Sequence, residues 1–429
     1  MKKIRAQTSG LTGEIMVPGD KSISHRSVML SGLADTPVYI RNFLRGADCL
    51  STIDCMRAMG VTVEEIGETE LKVTGRGLYG LRAPSRVLDA GNSGTTLRLL
   101  LGLTAAQPFS VTFTGDKSLQ KRPMGRVLKP LTAMGASFSS QEGRLPITVQ
   151  GQTEPLQSIY YEMPVASAQV KSAILLAGLY ASGDTVVTEP YPSRDHTERM
   201  LAAFGVPIMR HHNAVKVRPI GELMAPEDIT VPGDISSAAY WLVAGSLIYG
   251  SNILLKNVGV NPTRSGILDV LKHMGANIDI LNRHTESGEE VADIRVRRAR
   301  LKGTTFGAGI MPRLIDEVPI IAVAAVFAHG DTIIEGAGEL RVKETDRLVA
   351  IKNEFNKLSP GSVELKGDGL VIHGGLPLQR AECATYDDHR MAMALSIFGA
   401  AGDGVYLDRP DCVDISYPAF YETLKRLGR

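Results

Sequence analysis

The sequence predicts an α/β fold in two domains, built from six like units that mix helices and strands. Three observations lead there. The 429 residues exceed what one hydrophobic core usually serves, which favours two domains of roughly 200 residues each. Val17-Pro18-Gly19-Asp20 returns as Val231-Pro232-Gly233-Asp234 half a chain length later, the mark of two halves of like construction. Polar clusters that resemble helix starts recur at Asp20, Asn92, Ser167, Asp234, Asp316 and Asp388, at intervals of roughly 70 residues.

Each cluster opens an apolar run: Val28-Met29-Leu30, residues 97–101, 173–176, Tyr240-Trp241-Leu242-Val243, residues 320–323 and 391–395. Such runs predict buried helices with Asp, Asn or Ser near the N-cap. A second helix per unit is expected to end in an apolar residue and a glycine, at Met59-Gly60, Met134-Gly135, Phe204-Gly205 and Met274-Gly275, where glycine suits a left-handed C-cap. The fifth unit departs, reading Asn356-Lys357-Leu358. Alternating segments such as Leu71-Lys72-Val73, Ile294-Arg295-Val296 and Leu370-Val371-Ile372 predict strands between the helices.

Composition excludes several classes. With 44% hydrophobic and 22% charged residues the chain reads as ordinary globular protein, and a net charge of +1 supplies no field for non-specific nucleic-acid or membrane binding. The four cysteines form no CxxC pair, and Met1-Lys2-Lys3-Ile4-Arg5 leads into Ala6, Gln7 and Thr8 rather than an apolar stretch. Reduced thiols, no signal peptide, no metal and a cytoplasmic location are expected. Residues 320–328 and 174–181 are the longest apolar stretches, well under the roughly 20 that a membrane helix needs.

Two glycine-rich segments imitate nucleotide sites. Gly75-Arg76-Gly77-Leu78-Tyr79-Gly80 fits GxGxxG, but Leu81-Arg82-Ala83-Pro84-Ser85 opens no helix to hold a pyrophosphate, so a plain turn is expected. In Gly19-Asp20-Lys21-Ser22 an aspartate separates glycine from lysine, which breaks the Walker spacing.

Helix N-termini attract anions where their side chains are small or basic. Three starts qualify: Lys21-Ser22 with Arg26 one turn on, Gly91-Asn92-Ser93-Gly94-Thr95, and Ser167-Ala168-Gln169. Arginines in Lys121-Arg122-Pro123, Ser193-Arg194-Asp195, Lys343-Glu344-Thr345-Asp346-Arg347 and Asp388-His389-Arg390 add forks suited to phosphate and carboxylate. Any one of these is an ordinary cap or surface charge; their recurrence in one chain points to small anionic substrates.

With Pro18-Gly19-Asp20-Lys21-Ser22, Lys121-Arg122-Pro123-Met124, Asp316-Glu317 and Asp387-Asp388-His389-Arg390-Met391-Ala392 in this order, the chain resembles the 5-enolpyruvylshikimate-3-phosphate synthase family along nearly its whole length. The resemblance implies an enolpyruvyl transferase fold of six βαβαββ repeats, three per domain, an inside-out α/β barrel. One domain comprises residues 1–14 plus 234–429 and the other 18–231. Crossing strands lie near 14–18 and 231–234, and the substrates occupy a cleft that closes on shikimate 3-phosphate. It further implies transfer of the enolpyruvyl group of phosphoenolpyruvate to the 5-hydroxyl of shikimate 3-phosphate, on the route to chorismate and aromatic amino acids. No cofactor and no metal are expected, and the only partners are the two substrates of a monomer without nucleic acid or membrane.

By the same resemblance Asp316 accepts the hydroxyl proton, and Glu344 and Lys21 are the candidates for handling the proton at the methylene carbon. Phosphoenolpyruvate falls to Lys21, Asn92, Gly94, Arg122, Gln169, Arg347 and Arg390, with His389 orienting its phosphate. Shikimate 3-phosphate falls to Lys21, Ser22, Arg26, Ser167, Gln169, Arg194, Asp316 and Lys343. One position departs: many members carry a lysine before an aromatic-Pro pair near the C-terminus, and here Ser416 precedes Tyr417-Pro418.

The related transferases acting on UDP-N-acetylglucosamine place Asn after the first lysine and usually a cysteine near the second arginine. This chain has Ser22 and a cysteine-free Gly115-Asp116-Lys117-Ser118-Leu119-Gln120. Ser167-Ala168-Gln169-Val170-Lys171, Arg194-Asp195-His196-Thr197-Glu198 and Asn261-Pro262-Thr263-Arg264 resemble the second, glyphosate-tolerant bacterial class. Gly94, however, keeps the small residue that admits the inhibitor.

Overall fold

The computed structural model describes residues 1–429 and divides into two compact units. One consists of Met1–Pro18, Pro232–Thr285 and Glu290–Arg429; the other of Gly19–Val231 with Glu286–Glu289. Each has its own apolar core.

The six apolar runs are all helices: Lys21–Gly32, Gly94–Thr104 and Ala168–Gly178 in the second unit, Ile235–Leu247, Val318–Val326 and His389–Ala401 in the first. Nearly every residue in them is buried, including Ser24, His25, Arg26 and Ser27 in Lys21–Gly32, where polar side chains are buried with the apolar ones. Gly102 shows how tightly they pack, since a Cβ there would lie 2.2 Å from the Ala173 carbonyl oxygen. Around them run the helices Ala47–Ala58, Gly125–Ala133, His196–Ala203, Gly266–His273, Arg347–Leu358 and Phe420–Leu427. The first four end as expected, with Gly60, Gly135, Gly205 and Gly275 at φ between +79° and +97°. The fifth ends on Ser359, whose N–H reaches the Phe355 carbonyl at 2.7 Å, and the chain turns later at Gly361.

Six small sheets complete the repeats, five of four strands and one of three. Each contains one parallel pair. In four of them an inner helix joins that pair, as a parallel crossover demands. In the other two the first strands are exchanged. Thr12–Met16 precedes the Lys21–Gly32 helix but pairs with Asn252–Gly259, and Asp228–Thr230 precedes Ile235–Leu247 but pairs with Val38–Arg41. Residues 75–85 contain no helix, so the GxGxxG imitation is a turn, as the proline predicted.

Candidate active site

The inner helices carry the candidate residues at their starts. Asp20 accepts the Ile23 N–H at 2.9 Å, Ser167 that of Val170 at 3.4 Å, Asp234 that of Ser236 at 2.7 Å and Asp388 that of Arg390 at 2.9 Å. Two starts differ from expectation. The second cap is Ser93, accepting from Thr96 at 3.1 Å, because the Asn92 side chain is committed to Asp116 and Arg122. Asp316 lies in a short 3-10 turn, Ile315–Glu317, ahead of the Val318–Val326 helix; Pro319, at that helix's second position, has no N–H for a cap to bond.

The expected residues fall into two groups. In the second unit, Lys21 Nζ pairs with Asp48 Oδ2 at 2.9 Å. Arg122 donates to Asn92 Oδ1 at 3.1 Å and Ser118 Oγ at 3.2 Å, leaving its buried Nε without a hydrogen bond. Gln169 donates to Thr95 Oγ1 at 2.9 Å and accepts from Arg98. The starts of Gly94–Thr104 and Ala168–Gly178 are thereby tied together, Thr95 and Arg98 to Gln169, and Arg122 is joined to the first of them through Asn92. Ser22 and Arg194 are half-buried, Arg194 in the loop ahead of His196–Ala203.

Arg26, expected beside Lys21, is turned inward. Its guanidinium donates to Thr197 Oγ1 at 2.6 Å, Ser172 Oγ at 2.8 Å and the Ser22 carbonyl at 2.8 Å. Burial, opposed by the nearby Glu198 and Asp20, pulls its pKa down to about 10. Beneath it Lys171 meets Glu189 and Glu198, each at 2.8 Å, in a fully buried triad.

In the first unit Asp316, Lys343, Glu344, Arg347 and Arg390 come together. Arg347, 1% exposed, holds Asp388 with two bonds and Glu344 with one at 2.7 Å. Its Nη1 makes no hydrogen bond and lies 3.5 Å from Asp316. Asp316 also faces Lys343 at 3.4 Å and Arg390 at 3.8 Å. Burial works against both arginines, yet Asp388 and Glu344 hold Arg347, and Asp316 and Glu317 hold Arg390, above the ordinary arginine pKa. Both therefore stay charged. His389 is buried beside them at the start of the His389–Ala401 helix. Ser416 is buried at the end of a 3-10 turn, its N–H on the Val413 carbonyl at 3.1 Å.

Several partners were invisible in the sequence. Asp48, Arg98 and Asp116 sit far along the chain from the residues they hold, and only Arg98 left a signal, being one helical turn after Gly94. Glu317 is buried in a cluster with Ser236 and Arg264, whose Nη1 approaches it to 3.2 Å.

This combination, fixed cations around carboxylates at the helix starts, can hold a doubly anionic substrate and exchange protons with it. Comparison with known proteins agrees. The model of the EPSP synthase (3-phosphoshikimate 1-carboxyvinyltransferase) family matches residues 6–424. A 3-phosphoshikimate 1-carboxyvinyltransferase of Desulforamulus reducens is 52% identical over 97% of both chains. One from a Synechocystis strain is 51% identical over 99% of this chain and 95% of its own. An EPSP synthase structure from Acinetobacter baumannii superimposes with a TM-score of 0.88 at 40% identity, covering 99% of this chain and 98% of that one. The enolpyruvyl transferase NikO of Streptomyces tendae shares the fold at 18% identity and a TM-score of 0.80. Matched by its family's model across almost all of its length, the chain belongs to the EPSP synthase family, the transferases that move the enolpyruvyl group of phosphoenolpyruvate onto the 5-hydroxyl of shikimate 3-phosphate.

Proposed function

We propose that the chain performs this transfer with both groups of side chains acting on one pair of substrates. Phosphoenolpyruvate is held by Lys21, Arg122, Arg347 and Arg390, with Asn92, Gly94 and Gln169 completing its surroundings and His389 orienting its phosphate. Shikimate 3-phosphate is held by Lys21, Ser22, Arg26, Ser167, Gln169, Arg194, Asp316 and Lys343. Asp316 takes the proton of the attacking hydroxyl. Either Glu344 or Lys21 delivers the proton to the methylene carbon, and phosphate leaves the tetrahedral adduct into the field of the arginines.

The observation that carries this reading is the setting of Asp316. Its carboxylate has three cations within 3.8 Å, in Lys343, Arg347 and Arg390, which fix its position for the proton transfer a general base performs. Replacing Asp316 with Ala is expected to lower kcat by about 100-fold or more while shikimate 3-phosphate still binds in calorimetry. Near-normal turnover would take the base role from Asp316.

We further assign the chain to the second, glyphosate-tolerant bacterial class, on the segments around Gln169, Arg194 and Arg264, with intermediate sensitivity because position 94 is glycine. A soluble cytoplasmic monomer fits this reading. No helix is long and apolar enough to cross a membrane.

A further inference from the structure

Tyr386 and Asp387, the two residues ahead of Asp388, both adopt left-handed backbone conformations, with φ of +58° and +54°. Neither is glycine, and two such residues in succession, one of them aromatic, persist only where their surroundings hold them. The Tyr386 hydroxyl donates to Glu354 Oε1 at 2.8 Å. Thr385 donates to Asp408 Oδ1 through its N–H at 2.8 Å and its hydroxyl at 3.0 Å, and Arg409 pairs with Asp387.

Glu354 is fully committed to this task. It is 1% exposed, and its other oxygen accepts from the Ala384 N–H at 2.9 Å and Lys357 Nζ at 2.7 Å. It also stands two turns beyond Arg347 on the Arg347–Leu358 helix, and so on the same face. That one face grips the 384–388 segment twice, Arg347 holding Asp388 and Glu354 holding Ala384 and Tyr386. Asp388 is at once the partner of Arg347 and the cap of the helix that begins with His389 and Arg390. A turn that relaxed toward extended backbone would swing this carboxylate away from both.

We propose that Tyr386 and Glu354 are positioning residues that hold the strained turn 386–387 and thereby set Arg347 and Arg390 for phosphoenolpyruvate. The inference rests on the reading that these arginines bind that substrate. Burial, and then the bond to Glu354, push the Tyr386 hydroxyl up to about 12, so it remains a donor at neutral pH.

Three full-length variants test it, with steady-state kinetics for phosphoenolpyruvate and calorimetric binding of shikimate 3-phosphate to the free enzyme. Tyr386→Phe keeps the packed ring and loses only the hydroxyl. It should raise the phosphoenolpyruvate KM about tenfold, the size of one hydrogen bond to a charged group, and leave shikimate 3-phosphate binding unchanged. Adding Asp387→Gly should restore most of the loss, because glycine adopts positive φ freely; lost packing alone would not be rescued this way. Arg390→Lys is the reference and should raise the same KM. If Arg390→Lys does so and Tyr386→Phe does not, the positioning role falls while the arginine assignment stands. If Arg390→Lys leaves the KM unchanged, the arginine assignment and this inference fall together. Equal weakening of both substrates by Tyr386→Phe, or no rescue by glycine, would leave Tyr386 a purely structural residue and overturn the inference.

Discussion

Arg347 meets Asp388 through two hydrogen bonds, Nε to Oδ2 at 2.8 Å and Nη2 to Oδ1 at 3.2 Å, with both side chains shut off from solvent. Breaking such a pair leaves a buried charge without its counter-ion, which costs about 3–5 kcal/mol. Asp388→Ala should therefore destabilise the protein by about that much in chemical denaturation, and also lose the helix cap. Asp388→Asn, which keeps an acceptor for the cap, should cost less. A loss under about 1 kcal/mol for the alanine variant would mean that Glu344 alone suffices to hold Arg347.

At Gly94 a methyl group would lie 2.6 Å from Arg98 Nη1 and 3.5 Å from Arg122 Nη1. The nearer contact is the far end of a flexible side chain, so Gly94→Ala should fold. Arg98, and through it Gln169, must give way. On the proposed assignment the variant should raise the glyphosate inhibition constant by a larger factor than the phosphoenolpyruvate KM, because the longer inhibitor tolerates an added methyl less. Overpacking of this kind costs about 1–3 kcal/mol. Equal factors would remove Gly94 from the discriminating wall.

His25 is wholly buried, with Nδ1 2.6 Å from Thr52 Oγ1 and no hydrogen bond at Nε2. Burial first, then Lys21 and Arg26, lower its pKa well below the ordinary value. In the folded state it is neutral where the unfolded chain already binds a proton. Its contribution to stability is thus fully present above pH of about 6.5 and shrinks as pH falls below that, by up to roughly 1.4 kcal/mol per pH unit. His25→Gln should show a shallower loss of melting temperature between pH 6.5 and 5 than the parent. Parallel curves would assign the acid sensitivity to other groups.

The repeats were legible because five of the six inner helices begin at a polar side-chain cap followed by an apolar run, and the Val-Pro-Gly-Asp pair marks the same cap twice, at Asp20 and Asp234. The glycine C-caps were legible for the same local reason. What the residues did not announce is pairing across the fold. Arg26 stands one turn from Lys21, but nothing near it in the chain shows that its guanidinium also bonds Ser172 and Thr197, on two other helices. Likewise Asp316 looked like a cap until Pro319 removed the N–H that a cap would bond. The exchange of the strands Thr12–Met16 and Asp228–Thr230 between repeats leaves no local trace at all.

The central claim is that this chain turns over phosphoenolpyruvate with shikimate 3-phosphate. Phosphate release, followed with purified protein and phosphoenolpyruvate, should appear with shikimate 3-phosphate as acceptor, in step with its conversion to the enolpyruvyl ether, and should be absent with UDP-N-acetylglucosamine. Binding of shikimate 3-phosphate without phosphate release, when both substrates are saturating, would contradict it.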